Sequence, residues 1–168
     1  MKTILKMFAV CLMLMLLVSS PVAAQSKAAA AFERLKALAG EWEGTVEGKA
    51  GRITYKVVSN GTAVLESISG QGHEDGMISI YHFDGENLMM THYCSMGNQP
   101  RMRATPADVS DTQIIFRLVD TTNVKSADEG QITGLVTYFG DGTQFTQEWS
   151  GRGQGKVSTT VFRWTRKK

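Results

Sequence analysis

Cysteine is scarce in this chain of 168 residues, which holds only Cys11 and Cys94. Cys11 lies in an apolar N-terminal run without the small-residue context of a lipoprotein site. With that run removed, Cys94 stands alone, so no internal disulfide can form even in an oxidising compartment. Proline is equally sparse, at three residues, and neither Pro100 nor Pro106 is expected within a strand. Charge of one sign is also missing. Taking away Lys2 and Lys6 lowers Lys+Arg from 18 to 16, equal to the 16 Asp+Glu. No basic stripe remains to hold a phosphate backbone, so nucleic acid is not an expected partner. Phosphate loops, dinucleotide fingerprints and Gly-x-Ser-x-Gly elbows are absent from the sequence, and no cofactor is expected. The three histidines, His73, His82 and His92, follow no zinc or iron spacing, so no metal is expected either.

The only long hydrophobic run is Met7–Val18, preceded by Lys2 and Lys6 and followed by Ser19-Ser20-Pro21-Val22-Ala23-Ala24. Charge, apolar stretch and small-residue site in that order predict a secretory signal over residues 1–24. The run is short of the roughly 20 residues that a membrane helix needs. The expectation is therefore an exported protein, periplasmic or secreted, with no stable membrane anchor after cleavage and one domain over residues 25–168.

Ser26–Leu38 is alanine-rich, with Phe32, Leu35 and Leu38 at helical spacing. Ser26 is placed to cap this short helix and Gly40 to end it. From Glu41 onward the period changes from 3.6 to 2. Asn60-Gly61, Asp84–Asn87 and Asp141-Gly142 each sit between alternating runs and predict hairpins. The fold class is all-β: an antiparallel up-and-down barrel of about eight to ten strands with one short N-terminal helix.

The hairpins assign faces. A turn at Asn60-Gly61 sets Tyr55 opposite Glu66 and Val57 opposite Val64. The second hairpin puts Met77, Ser79, Tyr81 and Phe83 on one face with Leu88, Met90, His92 and Cys94. The opposite face of that hairpin carries Ile78, Ile80 and Met89, and is a candidate bed for the helix. The third hairpin sets Ile132, Val136 and Tyr138 beside Phe145, Gln147 and Trp149. A slip of one residue would reverse any of these assignments. The apolar faces should line the interior and carry Glu66, Ser79, His92 and Gln147 in with them, together with the phenols of Tyr55, Tyr81 and Tyr138. Each such group costs about 1–3 kcal/mol if buried without a partner, so these must bond to one another, to water or to a ligand.

Leu38-Ala39-Gly40-Glu41-Trp42, a Gly-x-Trp at the first strand after a short helix, resembles the start of lipocalin and calycin barrels. The resemblance implies that a terminal-strand arginine, Arg163 or Arg166, packs across Trp42. Ser59–Thr62 and Thr91–Met102 look like small exported bacterial lipocalin-like proteins of uncharacterised function. The chain lacks the disulfides of many secreted members. It has no histidine after His92, so the likeness does not extend to heme barrels that hold iron through a late histidine.

Three functional readings follow. In the first, the barrel binds a small apolar or amphipathic molecule. Trp149, Tyr81, Phe83 and Met90 give apolar contact, Tyr55, Glu66 and His92 fix a polar end, and Arg101 with Arg103 meets an anion at the mouth. Cys94 points to the same side as His92, two residues away on the strand. In the second, Glu66, His92 and Cys94 serve a hydrolase or isomerase, with a thiol nucleophile beside a base. In the third, the barrel is a ligand-free envelope scaffold whose buried cysteine and histidine are core residues.

Overall fold

The computed structural model describes residues 26–46, 49–70, 73–126 and 128–168; the expected signal over 1–24 lies outside them. One helix, α1 (Lys27–Ala37), precedes ten strands: β1 (Gly40–Val46), β2 (Lys49–Val58), β3 (Ala63–Gly70), β4 (His73–Asp84), β5 (Asn87–Tyr93), β6 (Gln99–Ala104), β7 (Gln113–Thr122), β8 (Gln131–Phe139), β9 (Gln144–Gly153) and β10 (Lys156–Arg166). Each strand pairs antiparallel with its neighbours in sequence, and β1 pairs with β10, so the sheet closes into an up-and-down barrel with no free edge.

Local chemistry explains the element ends. Ser26 Oγ accepts from Ala29 N–H at 3.1 Å and starts α1. Between β2 and β3, Ser59, Asn60 and Gly61 all have positive φ, and Thr62 N–H closes the turn on Ser59 C=O at 3.1 Å. The Asn-Gly pair supplies the left-handed conformations that such a tight reversal demands.

The helix does not lie on the outer face of β4 and β5. It plugs one end of the barrel. Ala28, Ala31, Phe32 and Leu35 are buried, and the Phe32 ring meets Phe83 at 4.9 Å. Phe83 is therefore part of the plug and stands 38 % exposed at the rim, away from any interior contact with a ligand. Trp42 Nε1 donates to Leu38 C=O at 2.7 Å, joining the helix end to β1.

Of the two expected arginines, Arg166 packs across Trp42, its guanidinium carbon 4.1 Å from the ring centroid. Nε donates to Gly142 C=O at 3.0 Å, Nη1 to Ala39 C=O at 3.0 Å and Nη2 to Ala37 C=O at 2.9 Å. One fork thus ties the helix end, the β8–β9 turn and β10 together. Gly40, at φ +125°, leaves room for it: a Cβ there would stand 3.1 Å from Nη1. Arg166→Lys keeps the charge but loses the fork, and should cost about 1–2 kcal/mol in urea denaturation. A loss below a few tenths would mean the fork contributes nothing.

Two further expectations change. The third hairpin is inverted along most of β8. Ile132 pairs with Gly151 and Gly134 with Ser150, so Thr133 is an extra residue that bulges the strand. Between the bulge and the turn, the register that starts at Phe139–Phe145 makes Leu135, Thr137 and Phe139 face Trp149, Gln147 and Phe145, while Val136 and Tyr138 point outward. Tyr138 bonds Glu148 there at 3.2 Å instead of joining the interior phenols. Pro100 lies inside β6, not outside a strand. It sits near the strand start, where β6 has outrun the last β5 rung at Thr91–Arg101, a position that tolerates a missing N–H.

Aromatic side chains fill much of the interior. Trp42, Trp164, Tyr55, Tyr81 and Phe116 are all fully buried. Phe145 stands between Trp42, Tyr55 and Trp164, with centroid distances of 4.7, 5.8 and 6.4 Å.

Candidate functional site

Cross-strand register lays one polar row around the barrel wall. Tyr55 on β2 is opposite Glu66 on β3, Glu66 opposite Ser79 on β4, and Ser79 opposite His92 on β5. Directly opposed side chains on one face lie within contact range, so this register makes a continuous hydrogen-bonded chain.

Glu66 is its centre and is completely buried. Oε2 accepts from the Tyr55 hydroxyl, from Tyr81 at 2.7 Å and from Gln147 Nε2 at 2.8 Å. Oε1 accepts from Ser79 Oγ at 3.0 Å, and Ser79 Oγ in turn is 3.0 Å from His92 Nδ1. Gln147 reaches across the barrel from β9 and also donates to the Tyr55 hydroxyl at 3.1 Å. Its own Oε1 accepts from Trp164 Nε1 at 3.1 Å and Trp149 Nε1 at 3.4 Å.

Burial pushes the Glu66 carboxyl up from its ordinary value, while the bonds from Tyr55, Tyr81, Gln147 and Ser79 pull it back; the net direction is upward. Burial, with the Glu66 charge adding to it, holds Tyr55 and Tyr81 well above the ordinary phenol value, so both remain donors. His92 goes the other way. Burial lowers it from 6.5 to about 4, leaving the imidazole neutral at pH 7.

A cavity of about 140 Å³ opens beyond His92, at the end of the barrel remote from α1. Ile68, Met77, Ile132, Trp149 and Phe162 form its apolar walls, while His92, Cys94, Ser158 and Thr160 contribute polar atoms. The Trp149 ring packs on His92 at 4.8 Å. Broader surface depressions, of about 630 Å³ along Glu43–Arg52 and about 550 Å³ near Gln131 and Arg152, are shallow and solvent-facing. Neither is lined by any member of the Glu66 network.

The candidate residues therefore separate. His92, Cys94 and Trp149 share the cavity. Tyr55, Glu66 and Tyr81 sit behind it, bonded to one another and not part of its wall. Arg101 does not join them: along β6 the even positions point inward, and Arg101 forks onto Asp120 on the outer surface. Arg103 is exposed on the same side. Met90 is core, with no exposure. Sequence reasoning placed Ser79 and Gln147 on the inward face without giving them a role; their partners come from β3 and from across the barrel. The β10 contributors Ser158, Thr160 and Phe162 carried no local signal at all.

No family model and no curated protein matches the chain. Among solved structures, the barrel is similar to a protein of unknown function from the DUF3598 family of Nostoc punctiforme, with a TM-score of 0.50 and 11 % identity over 79 % of this chain. This chain spans about half the length of that protein, at 49 % of it. At that identity the likeness concerns the fold alone: a closed antiparallel β-barrel.

Proposed function

We propose that this chain is an exported binding protein that takes a small, largely apolar molecule in the cavity beside His92. The observation that carries the reading is an apolar pocket at one barrel end whose inner polar group, His92, is backed by a sealed hydrogen-bond network. Ligand pockets combine apolar walls with a few placed polar groups in this way. Volume limits the occupant. Drug-sized sites run to about 300–1,000 Å³, whereas an apolar cavity of about 150 Å³ admits benzene. At about 140 Å³ the ligand, or the part of it that enters, has the size of a single ring. The lipocalin likeness supports a binding role by analogy of fold, although lipocalins close with eight strands and this barrel closes with ten.

Binding is favoured over catalysis by the arrangement of Cys94. Among the described residues no hydrogen bond joins it to His92, so the thiol is not held against a base.

Native mass spectrometry of the protein purified from an envelope extract tests the proposal. The expected species begins at Gln25 and carries additional small-molecule mass. Thr160→Phe fills the cavity from β10, so its preparation should lose that mass while keeping the same circular dichroism. Recovery of only the bare polypeptide, together with no response to toluene in an NMR titration, would leave a filled scaffold as the better reading.

A further inference from the structure

The Glu66 network fixes more than the shape of the pocket. Three donors, two phenols and an amide, converge on Glu66 Oε2. Such convergence is what a carboxylate anion, acceptor only, requires. An anionic Glu66 has no proton to give, so Ser79 must spend its single hydroxyl hydrogen on Oε1 at 3.0 Å. The contact between Ser79 Oγ and His92 Nδ1, also 3.0 Å, then needs its proton from the imidazole. A neutral imidazole carries one N–H. With that hydrogen on Nδ1, the other nitrogen keeps a bare lone pair. Nε2 has no protein partner among the described residues, and His92 lines the cavity.

We infer that the Glu66–Ser79 relay locks His92 as a hydrogen-bond acceptor toward the cavity, and that the ligand is therefore a neutral, ring-sized molecule donating one O–H or N–H. This rests on the cavity being the binding site and adds the chemical class of its occupant. Glu66 is here a positioning residue that acts through Ser79 and His92. The wall completes the selection: Ile68, Met77, Trp149 and Phe162 favour an apolar body and offer no counter-charge for an ionic one. The Trp149 indole N–H is turned to Gln147, and the Ser158 and Thr160 hydroxyls on β10 can both donate and accept, so the one-sided preference of the cavity comes from His92.

The test uses toluene, phenol and pyridine as probes of one size that differ in hydrogen bonding: none, donor and acceptor. Binding is read by NMR titration, and the tautomer by the ¹⁵N resonances of His92 in the free protein. The expected result is an Nδ1–H tautomer and phenol binding about tenfold tighter than toluene or pyridine, the worth of one well-placed hydrogen bond. Glu66→Gln supplies the inverse. Its amide N–H₂ in the Oε1 position would donate to Ser79, turn that hydroxyl toward Nδ1 and move the imidazole proton to Nε2. Pyridine should then outbind phenol. Equal affinity for toluene and phenol in the native protein would overturn the inference while leaving the binding reading intact. An Nε2–H tautomer in the native protein would overturn it independently of any titration. Failure of all three probes to bind, with the Nδ1–H tautomer present, would sink the cavity as a site and the ligand class with it.

Discussion

Replacing Glu66 with alanine is expected to cost about 3–5 kcal/mol, the range seen when one partner of a buried charged network is removed. A domain of ordinary stability has about 5–15 kcal/mol in total, so the variant should be marginal at 25 °C. The loss comes less from the missing attraction than from what remains behind. Tyr55 and Tyr81 would lose their acceptor and face a void, while Ser79 and Gln147 would keep only their second partners, His92 and Tyr55. Unsatisfied buried donors cost about 1–3 kcal/mol each before relaxation and water entry reduce the sum. Removing donors and acceptor together avoids that penalty. The triple variant Glu66→Leu, Tyr55→Phe, Tyr81→Phe should recover most of the loss, to within about 2 kcal/mol of the native protein. Urea denaturation with a shared m-value decides it. A single alanine variant that loses under 1 kcal/mol would show that the network is solvated.

The second large effect is a pH dependence carried by His92. Its folded pKa of about 4 lies below the ordinary 6.5 because burial disfavours the cation. At pH 7 both folded and unfolded forms are neutral there, and the shift has no effect. Below pH 6.5 the unfolded chain takes up a proton that the folded protein refuses until about pH 4. Stability therefore falls across that window by about 3 kcal/mol and levels off below it. Glu66 works in the opposite sense. Its pKa is raised on folding, so its share of stability grows as pH falls through its folded value toward 4.5. A difference between proteins isolates the histidine. His92→Asn retains an N–H donor toward Ser79 and cannot titrate. The native protein's stability relative to this variant should be greatest at pH 7 and shrink by about 3 kcal/mol by pH 4. A difference that stays constant over that range would show that His92 takes its proton at the ordinary pH and is not desolvated.

These effects depend on contacts that the sequence revealed only in part. Where neighbouring strands are joined by short turns, local pattern was enough. Asn60-Gly61 fixed Tyr55 opposite Glu66, and the four residues Asp84–Asn87 put Ser79 opposite His92 and Tyr81 opposite Met90. The period-2 alternation and the turns pointed to about eight to ten strands, of which ten form, and Ser26 with Gly40 bracketed the helix. The lipocalin-like Gly-x-Trp start pointed to Arg163 or Arg166 across Trp42, and Arg166 takes that place.

Local pattern failed at the third turn, because Phe139 pairs with Phe145 across an odd-numbered loop and not across the two-residue turn that Asp141-Gly142 suggests, so the parity of β8 is reversed until the Thr133 bulge restores it at Ile132. It also failed for Arg101, whose partner Asp120 is brought beside it by the β6–β7 pairing. By itself the sequence determined the strands, the turns and which polar residues enter with the apolar face, since those follow from side-chain period and turn chemistry within a few residues. Only the tertiary structure decided that Glu66 is sealed, that His92 and Trp149 stand between its network and a cavity, and that Gln147 meets both Glu66 and Tyr55 across the barrel, because closing the sheet sets the distances between strands that are far apart in the chain.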